Sequence, residues 1–221
     1  MSKHIEPLKQ AMVDAGRSLF ERGLTGGTSG NLSIRVGDEW LVTPTNSCLG
    51  ELTPSDISHL DGSGRLLAGK PPSKELALHQ AFLSLRPDDQ AVVHLHSTYG
   101  TAWSCLTHPD PGNVLPPLTP YAIMRLGQVA LLPYRRPGDP RMAEDITRVA
   151  AGHRAVLLAN HGPLVAGRDL AAAQSAIEEL EATARLALVL RDEHPRLLDH
   201  DQIRELETTF GNSNTTGHVS Q

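Results

Sequence analysis

The sequence predicts an α/β sandwich with a mixed or antiparallel central sheet, and three observations carry that expectation. Strand-like runs joined by tight turns fill the region after the first helix, with Gly37-Asp38 and Asp61-Gly62-Ser63-Gly64 as the turns. Two apolar runs, Ala91 to His96 and Ala155 to His161, read as buried strands. Segments of helical spacing stand before, between and after these strands, so helices enclose the sheet.

Each element has a local reason. A first helix is expected from about Ile5 to Arg22, because Leu8, Met12, Ala15 and Leu19 form one apolar stripe and Gly23 ends it. Leu32–Val36 and Glu39–Thr43 flank Gly37-Asp38 as a hairpin, and a second strand pair surrounds Asp61-Gly62-Ser63-Gly64. Ser73 is placed to cap a helix from Lys74 to about Leu85, stopped by Pro87. The strand carrying His94 and His96 leads into a helix from Ser97 to Leu106. The stretch Pro116 to Gly127, with Tyr121 on it, reads as a proline-rich loop, followed by a strand at Val129–Leu132 and a helix at Pro140–Ala151. Two short strands between Val156 and Val165 surround His161. Asp169 is expected to cap a long helix reaching about Arg191, and Asp201 a short one.

Size and composition narrow the function. At 221 residues the chain has room for one sizeable core, taken as a single domain over residues 1–210. Residues 211–221 are small and polar and are expected to be a disordered tail. A formal net charge of −5 with no basic stripe argues against a nucleic-acid partner. Cys48 and Cys105 lie far apart with no pairing pattern. The first residues have no apolar signal region, and no run approaches the ~18 apolar residues of a membrane span. A soluble, cytoplasmic protein with no membrane partner is expected.

Four residues dominate the chemistry. His94 and His96 sit two apart in an apolar strand, so both imidazoles project from one face. Burying neighbouring imidazoles without partners is unfavourable, and a divalent metal uses both. His161 closes a second apolar run, and Glu75 heads a helix just before the His-x-His strand. Three imidazoles and a displaceable carboxylate form a tetrahedral zinc set, although any single histidine is more often structural. The other eight histidines, His79 among them, lack this setting and read as surface or packing residues.

Gly23-Leu24-Thr25-Gly26-Gly27-Thr28-Ser29-Gly30-Asn31 is the second signal. Its glycines let backbone N–H groups converge on an anion, with Thr28, Ser29 and Asn31 adding side-chain donors. The order is helix then hairpin, the reverse of a dinucleotide fingerprint, and no Gly-Lys-Ser/Thr follows. A plain loop and a phosphate nest both remain open; Thr43-Pro44-Thr45-Asn46 and Pro72-Ser73-Lys74 support the nest. Lys74 is disfavoured by the helix macrodipole at its position, so an anionic substrate near the metal would explain it, with a solvated surface charge as the alternative. Tyr121 reads first as a packing residue on its loop. Arg135 and Arg136 are either surface charges or anion contacts. Cys105 has no adjacent base, which argues against a thiol nucleophile.

Taken together, Gly30-Asn31-Leu32-Ser33, Thr43-Pro44-Thr45, Ser73-Lys74-Glu75, His94-Leu95-His96 and Asn160-His161-Gly162 closely resemble the class II aldolase/adducin family over about residues 5–195. Ser-Lys-Glu in place of the aldolases' Ser-Ser-Glu, with Leu-Thr-Pro-Tyr and Pro-Tyr-Arg-Arg-Pro-Gly-Asp, looks most like the family's 3-oxo-tetronate 4-phosphate decarboxylases. The resemblance implies a three-layer α/β/α sandwich with a mixed, largely antiparallel sheet (class II aldolase-like). It also implies a homotetramer with zinc, or another divalent metal, at active sites on subunit interfaces.

Carried over by position, His94, His96 and His161 would hold the metal, and Glu75 would ligate it at rest and transfer a proton in turnover. Gly30-Asn31, Thr45-Asn46 and Ser73-Lys74, together with Ser29 of the same loop, would cradle the phosphate of a sugar-acid substrate. Tyr121 falls near where aldolases place a tyrosine from the neighbouring subunit, whereas the aldolases' C-terminal tyrosine has no counterpart after Tyr134. The implied reaction is loss of CO2 from a phosphorylated 3-oxo acid through an enediolate. Aldol cleavage and pentulose-phosphate 4-epimerisation are the enzyme alternatives, and an adducin-like scaffold the non-enzyme one. A cupin-type oxygenase also uses His-x-His, but needs a downstream Glu that this chain lacks between His96 and Ala143.

Overall fold

Among the described residues, eight strands form one sheet. The computed structural model describes the backbone of residues 2–210 and the side chains of residues 5–210; the segment expected to be a disordered tail lies outside the described residues. In chain order the elements are α1 (Ser2–Glu21), β1 (Asn31–Val36), β2 (Glu39–Val42), β3 (Ser58–Leu60), β4 (Leu66–Ala68) and α2 (Leu76–Ser84). They continue with β5 (Ala91–His94), α3 (Thr98–Ser104), α4 (Pro120–Leu126), β6 (Val129–Leu132) and α5 (Arg141–Val149). The last are β7 (Ala155–Leu158), β8 (Gly162–Gly167), α6 (Leu170–Val189) and α7 (His200–Phe210). The sheet order is β4-β3-β2-β1-β5-β8-β7-β6, and every described strand pair is antiparallel except β6–β7, so the sheet is mixed and largely antiparallel, as expected.

Two apolar cores sandwich the sheet and make three layers. On one face Leu32, Ile34, Val93 and Leu157 pack with Met12 and Leu19 of α1, Trp103 of α3, and Ile177 and Leu180 of α6. On the other, Val42, Val92, Val156 and Leu164 pack with Phe82 and Leu83 of α2 and Met142 and Ile146 of α5. Strand alternation therefore sends Asn31, Ser33 and His94 toward the α2 layer, because their neighbours Leu32, Ile34 and Val93 face the other core. Full burial of Phe82 contributes about 1.5–3 kcal/mol to fixing α2 on that face.

Several local expectations need correction. Ser73 does not cap α2: Glu75 takes the position before the helix, and Ser73 Oγ accepts from the Glu75 N–H at 3.2 Å, a tight turn just upstream. Ser73 N–H donates to Thr43 O at 3.1 Å, which keeps that segment extended and delays the helix. The stretch read as a proline-rich loop ends in α4: Thr119 Oγ1 accepts from Ala122 N–H and Pro120 fits the first helical position. Asp199, not Asp201, caps α7, through reciprocal bonds with Gln202. The strand β5 stops at His94, so His96 lies just beyond it and is exposed. There the chain turns into α3, whose first turn is held by Glu181 of α6. That carboxylate accepts from Ser97 Oγ (2.6 Å), Tyr99 N–H (2.9 Å) and Gly100 N–H (2.7 Å).

Candidate metal centre and substrate cavity

The three histidines come from two antiparallel neighbours. β5 ends at His94, His96 follows it, and His161 sits in the turn between β7 and β8, where Asn160 adopts a left-handed φ of 56°. The next residue must be glycine. Gly162 has φ +154°, and a Cβ there would run into the Leu95 carbonyl oxygen.

The ligand nitrogens of His94, His96 and His161 all lie within 4.8 Å of one another. His94 is completely buried and its Nδ1–H donates to Pro163 O at 2.8 Å, which leaves the Nε2 lone pair facing the cluster. His96 Nε2 stands 3.2 Å from it. Burial holds all three imidazoles below their ordinary pKa, His94 to about 3, with the Glu75 carboxylate opposing the shift in each. At neutral pH three uncharged imidazoles thus bring their ring nitrogens together at one spot, an arrangement that suits a cation. The donor set fits a divalent metal.

Glu75 faces this group from the opposite layer. Its Oε2 is 3.5 Å from His94 Nε2 and its Oε1 is 3.5 Å from His161 Nε2. Asn31 Nδ2 donates to Oε2 at 2.7 Å. Burial resists ionisation of this carboxyl, but His94, the Asn31 amide and His161 outweigh it, and its pKa lies below the ordinary value. One oxygen edge is tethered and the other faces the imidazoles, so the carboxylate can approach a metal or swing from it.

A cavity of about 360 Å³ opens beside this cluster, lined by Thr28, Ser29, Gly30, Asn31, Pro44, Thr45, Asn46, Ser73, Lys74, Glu75, His96, Pro137 and Gly138. Of the residues expected to hold a phosphate, all seven border it. Their loops are pinned together: Thr25 Oγ1 donates to Ser29 O at 2.8 Å, Thr45 N–H to Pro71 O at 3.0 Å, and Asn46 adopts φ 54°. Gly30, at φ +79°, packs against the His94 backbone, where a Cβ would sit 3.0 Å from His94 O. Thr43 lies behind the cavity as a structural residue, its Oγ1 accepting from Leu32 N–H at 3.0 Å. Among the described residues, Lys74 is the one cationic side chain of the lining, and it is exposed.

Two candidates are placed elsewhere. Tyr121, on α4, is 59% exposed and carries the Arg125 guanidinium 5.8 Å from its ring centre, away from this cavity in the same chain. Arg135 is committed to Asp145, with Nε 2.7 Å from Oδ2, so it reads as a structural partner of a buried carboxylate. Arg136 is exposed beside Pro137 and Gly138. Those last two line the cavity from the loop after β6, a contribution the sequence reading assigned to no role; their Pro-Gly pairing marked the turn but not its destination. His79, read as a surface or packing residue, is completely buried one helical turn from Glu75.

The description "Class II Aldolase and Adducin N-terminal domain" matches residues 10–188. The chain belongs to this family. It is 48% identical over 200 residues to the 3-oxo-tetronate 4-phosphate decarboxylase of Haemophilus influenzae, covering 90% of this chain and 95% of that protein. Its structure resembles YgbL of Escherichia coli, described as an aldolase, epimerase or decarboxylase, with a TM-score of 0.88, 46% identity, and coverage of 91% and 98%. It is also similar to an L-fuculose 1-phosphate aldolase at a TM-score of 0.83 and 32% identity, covering 92% and 96%. The family accounts for the three-layer architecture around the histidine cluster.

Proposed function

We propose that this chain is a carboxy-lyase that converts a 3-oxo-tetronate 4-phosphate to dihydroxyacetone phosphate and CO2. The observation that carries this reading is the Glu75 carboxylate held between a three-imidazole cluster and an anion-sized cavity of neutral donors with one lysine. The similarity to the Haemophilus influenzae decarboxylase selects CO2 loss over other carbon–carbon lyase chemistry. His94, His96, His161 and, at rest, Glu75 would hold the metal, taken as zinc for its affinity for imidazole and carboxylate. Bound there, the ion supplies Lewis acidity toward negative charge that develops on the substrate's oxygens.

The chain's own groups do the rest. Backbone and side-chain donors at Ser29, Gly30, Asn31, Thr45, Asn46 and Ser73 bind the phosphate and fix the reacting carbons. The C1–C2 bond then breaks, its electron pair moves into the C3 carbonyl to give an enediolate, and CO2 leaves. Glu75, a carboxylate at rest, takes up a proton from solvent once substrate displaces it from the imidazole cluster and delivers that proton to C2, completing dihydroxyacetone phosphate. Lys74 contributes positive charge to a substrate that carries both phosphate and carboxylate. A homotetramer with Tyr121 reaching a neighbouring subunit's cavity, and a cytoplasmic location, complete the reading.

Aldol cleavage passes through the same enediolate, and the likeness to the L-fuculose 1-phosphate aldolase supports it as the second reading. The two separate in one assay. Synthetic 3-oxo-tetronate 4-phosphate labelled with 13C at C1 should release labelled CO2 and dihydroxyacetone phosphate in equal amounts. Aldehyde release from ketose 1-phosphates, with no CO2 from the labelled acid, would overturn the proposal.

A further inference from the structure

His79 is the buried titratable group that the proposed chemistry leaves unused. It lies on α2, four residues after Glu75, so the two side chains leave the same helical face. Across from them, Asn31 and Ser33 lie two apart on β1 and share its α2-facing side. Two rungs join the elements: Asn31 Nδ2 to Glu75 Oε2 at 2.7 Å, and Ser33 Oγ with His79 Nδ1 at 2.7 Å. Ser33 and His79 are both 0% exposed. The surroundings are apolar, with Leu78, Phe82, Leu83 and Val92 in the same core. Among the described residues, His79 Nε2 has no hydrogen-bond partner, and neither has Asn31 Oδ1. A leucine would fill such a site without an orphaned nitrogen, so an imidazole here weakens the fold for some other return.

We propose that His79 is a positioning residue for Glu75: the Ser33–His79 rung fixes the first turn of α2 against β1, and so sets where the Glu75 carboxylate stands relative to His94 and His161. Asn31 lies opposite His94 in the β1–β5 ladder, so β1 carries the reference for both. Without the lower rung, α2 is free to rotate about the Asn31 contact, and Glu75 loses its fixed distance to the imidazoles. The inference rests on the proton-transfer role proposed for Glu75.

The test uses the full-length metal-loaded protein with Co2+ as a visible probe and decarboxylation as the assay. His79→Leu should fold, keep its metal content and its KM, lower kcat at least 10-fold, and shift the Co2+ absorption in the same sense as Glu75→Gln. His79→Asn, which retains a group at the Nδ1 position, should recover most of the loss. Ser33→Ala, a one-atom deletion, should reproduce a smaller kcat defect even if His79→Leu does not fold. In the Glu75→Gln background, His79→Leu should add no further loss, because it acts only through the carboxyl group. Wild-type kcat and spectrum in both His79→Leu and Ser33→Ala, or a loss that adds fully to that of Glu75→Gln, would overturn the inference. Full activity in Glu75→Gln itself would instead overturn the underlying role of the carboxylate.

Discussion

Asn31 and Glu75 tie the two walls of the site together: the amide donates to the carboxylate at 2.7 Å, while the Asn31 backbone lies opposite His94 in the sheet. The residue that heads the side proposed to bind phosphate is therefore the one that aims the proposed proton carrier. A hydrogen bond to a charged group contributes about 1.5–3 kcal/mol, so Asn31→Ala should lower kcat by about 10- to 100-fold. Removing the donor also raises the Glu75 pKa, since that bond is one of the interactions lowering it. Metal content should be unchanged. Steady-state kinetics with metal analysis checks this, and unaltered kcat would refute the coupling.

Among the described residues, Lys74 provides the only formal positive charge on the cavity wall. Lys74→Ser should raise KM for the phosphorylated acid by about 10-fold, equivalent to about 1.4 kcal/mol, with a smaller effect on kcat. Because the side chain is exposed, the defect should shrink as ionic strength rises and screening weakens the wild-type contact. KM measured at low and high salt would show it; a KM equal to wild type at low salt would remove Lys74 from substrate binding.

Acid should destabilise the metal-free protein through its buried imidazoles. Burial holds the His79 pKa at about 4, with Glu75 opposing the shift, against 6.5 for the free side chain. Between those values the unfolded chain binds the proton and the folded chain does not, so stability falls as pH drops from about 6.5 to about 4. For His79 alone the loss is about 3 kcal/mol across that window. Denaturant unfolding at pH 7 and pH 4.5 should show a clearly smaller pH effect in His79→Leu. An equal pH effect in both proteins would contradict this account.

Gly162 couples the third histidine to the fold. Its φ of +154° and the Leu95 carbonyl beside its Cα leave no space for a methyl group. Gly162→Ala should cost about 1–3 kcal/mol of stability, and displace His161 with the turn. At this chain length that corresponds to a melting temperature lower by about 2–12 °C. Thermal melts and equilibrium dialysis against Zn2+ should show lower stability together with weaker metal binding. A normal melting temperature would mean that the turn relaxes without strain.

Much of this was written in the local sequence. The His-x-His spacing, the glycine-rich loop, the paired hairpins and the long helix capped by Asp169 all follow from short-range periodicity and turn chemistry, and the structure realises each of them. The family motifs gathered the cavity residues before any coordinate did, because each motif keeps its own loop conformation. What the sequence misassigned depends on neighbours distant along the chain. Ser73 reads as a cap only while its bond to Thr43 is unknown, and Tyr121 reads as loop only while the Thr119 cap is overlooked. The role of His79 is invisible to any pattern, since it exists only where α2 meets β1 across 46 residues.

The sequence alone thus determined which side chains are candidates for chemistry and which elements they ride on, because residue type and local spacing fix both. Tertiary structure decided their distances and protonation, since only sheet order and helix docking bring Asn31, Glu75, His94 and His161 to one buried point where low polarity keeps the imidazoles neutral.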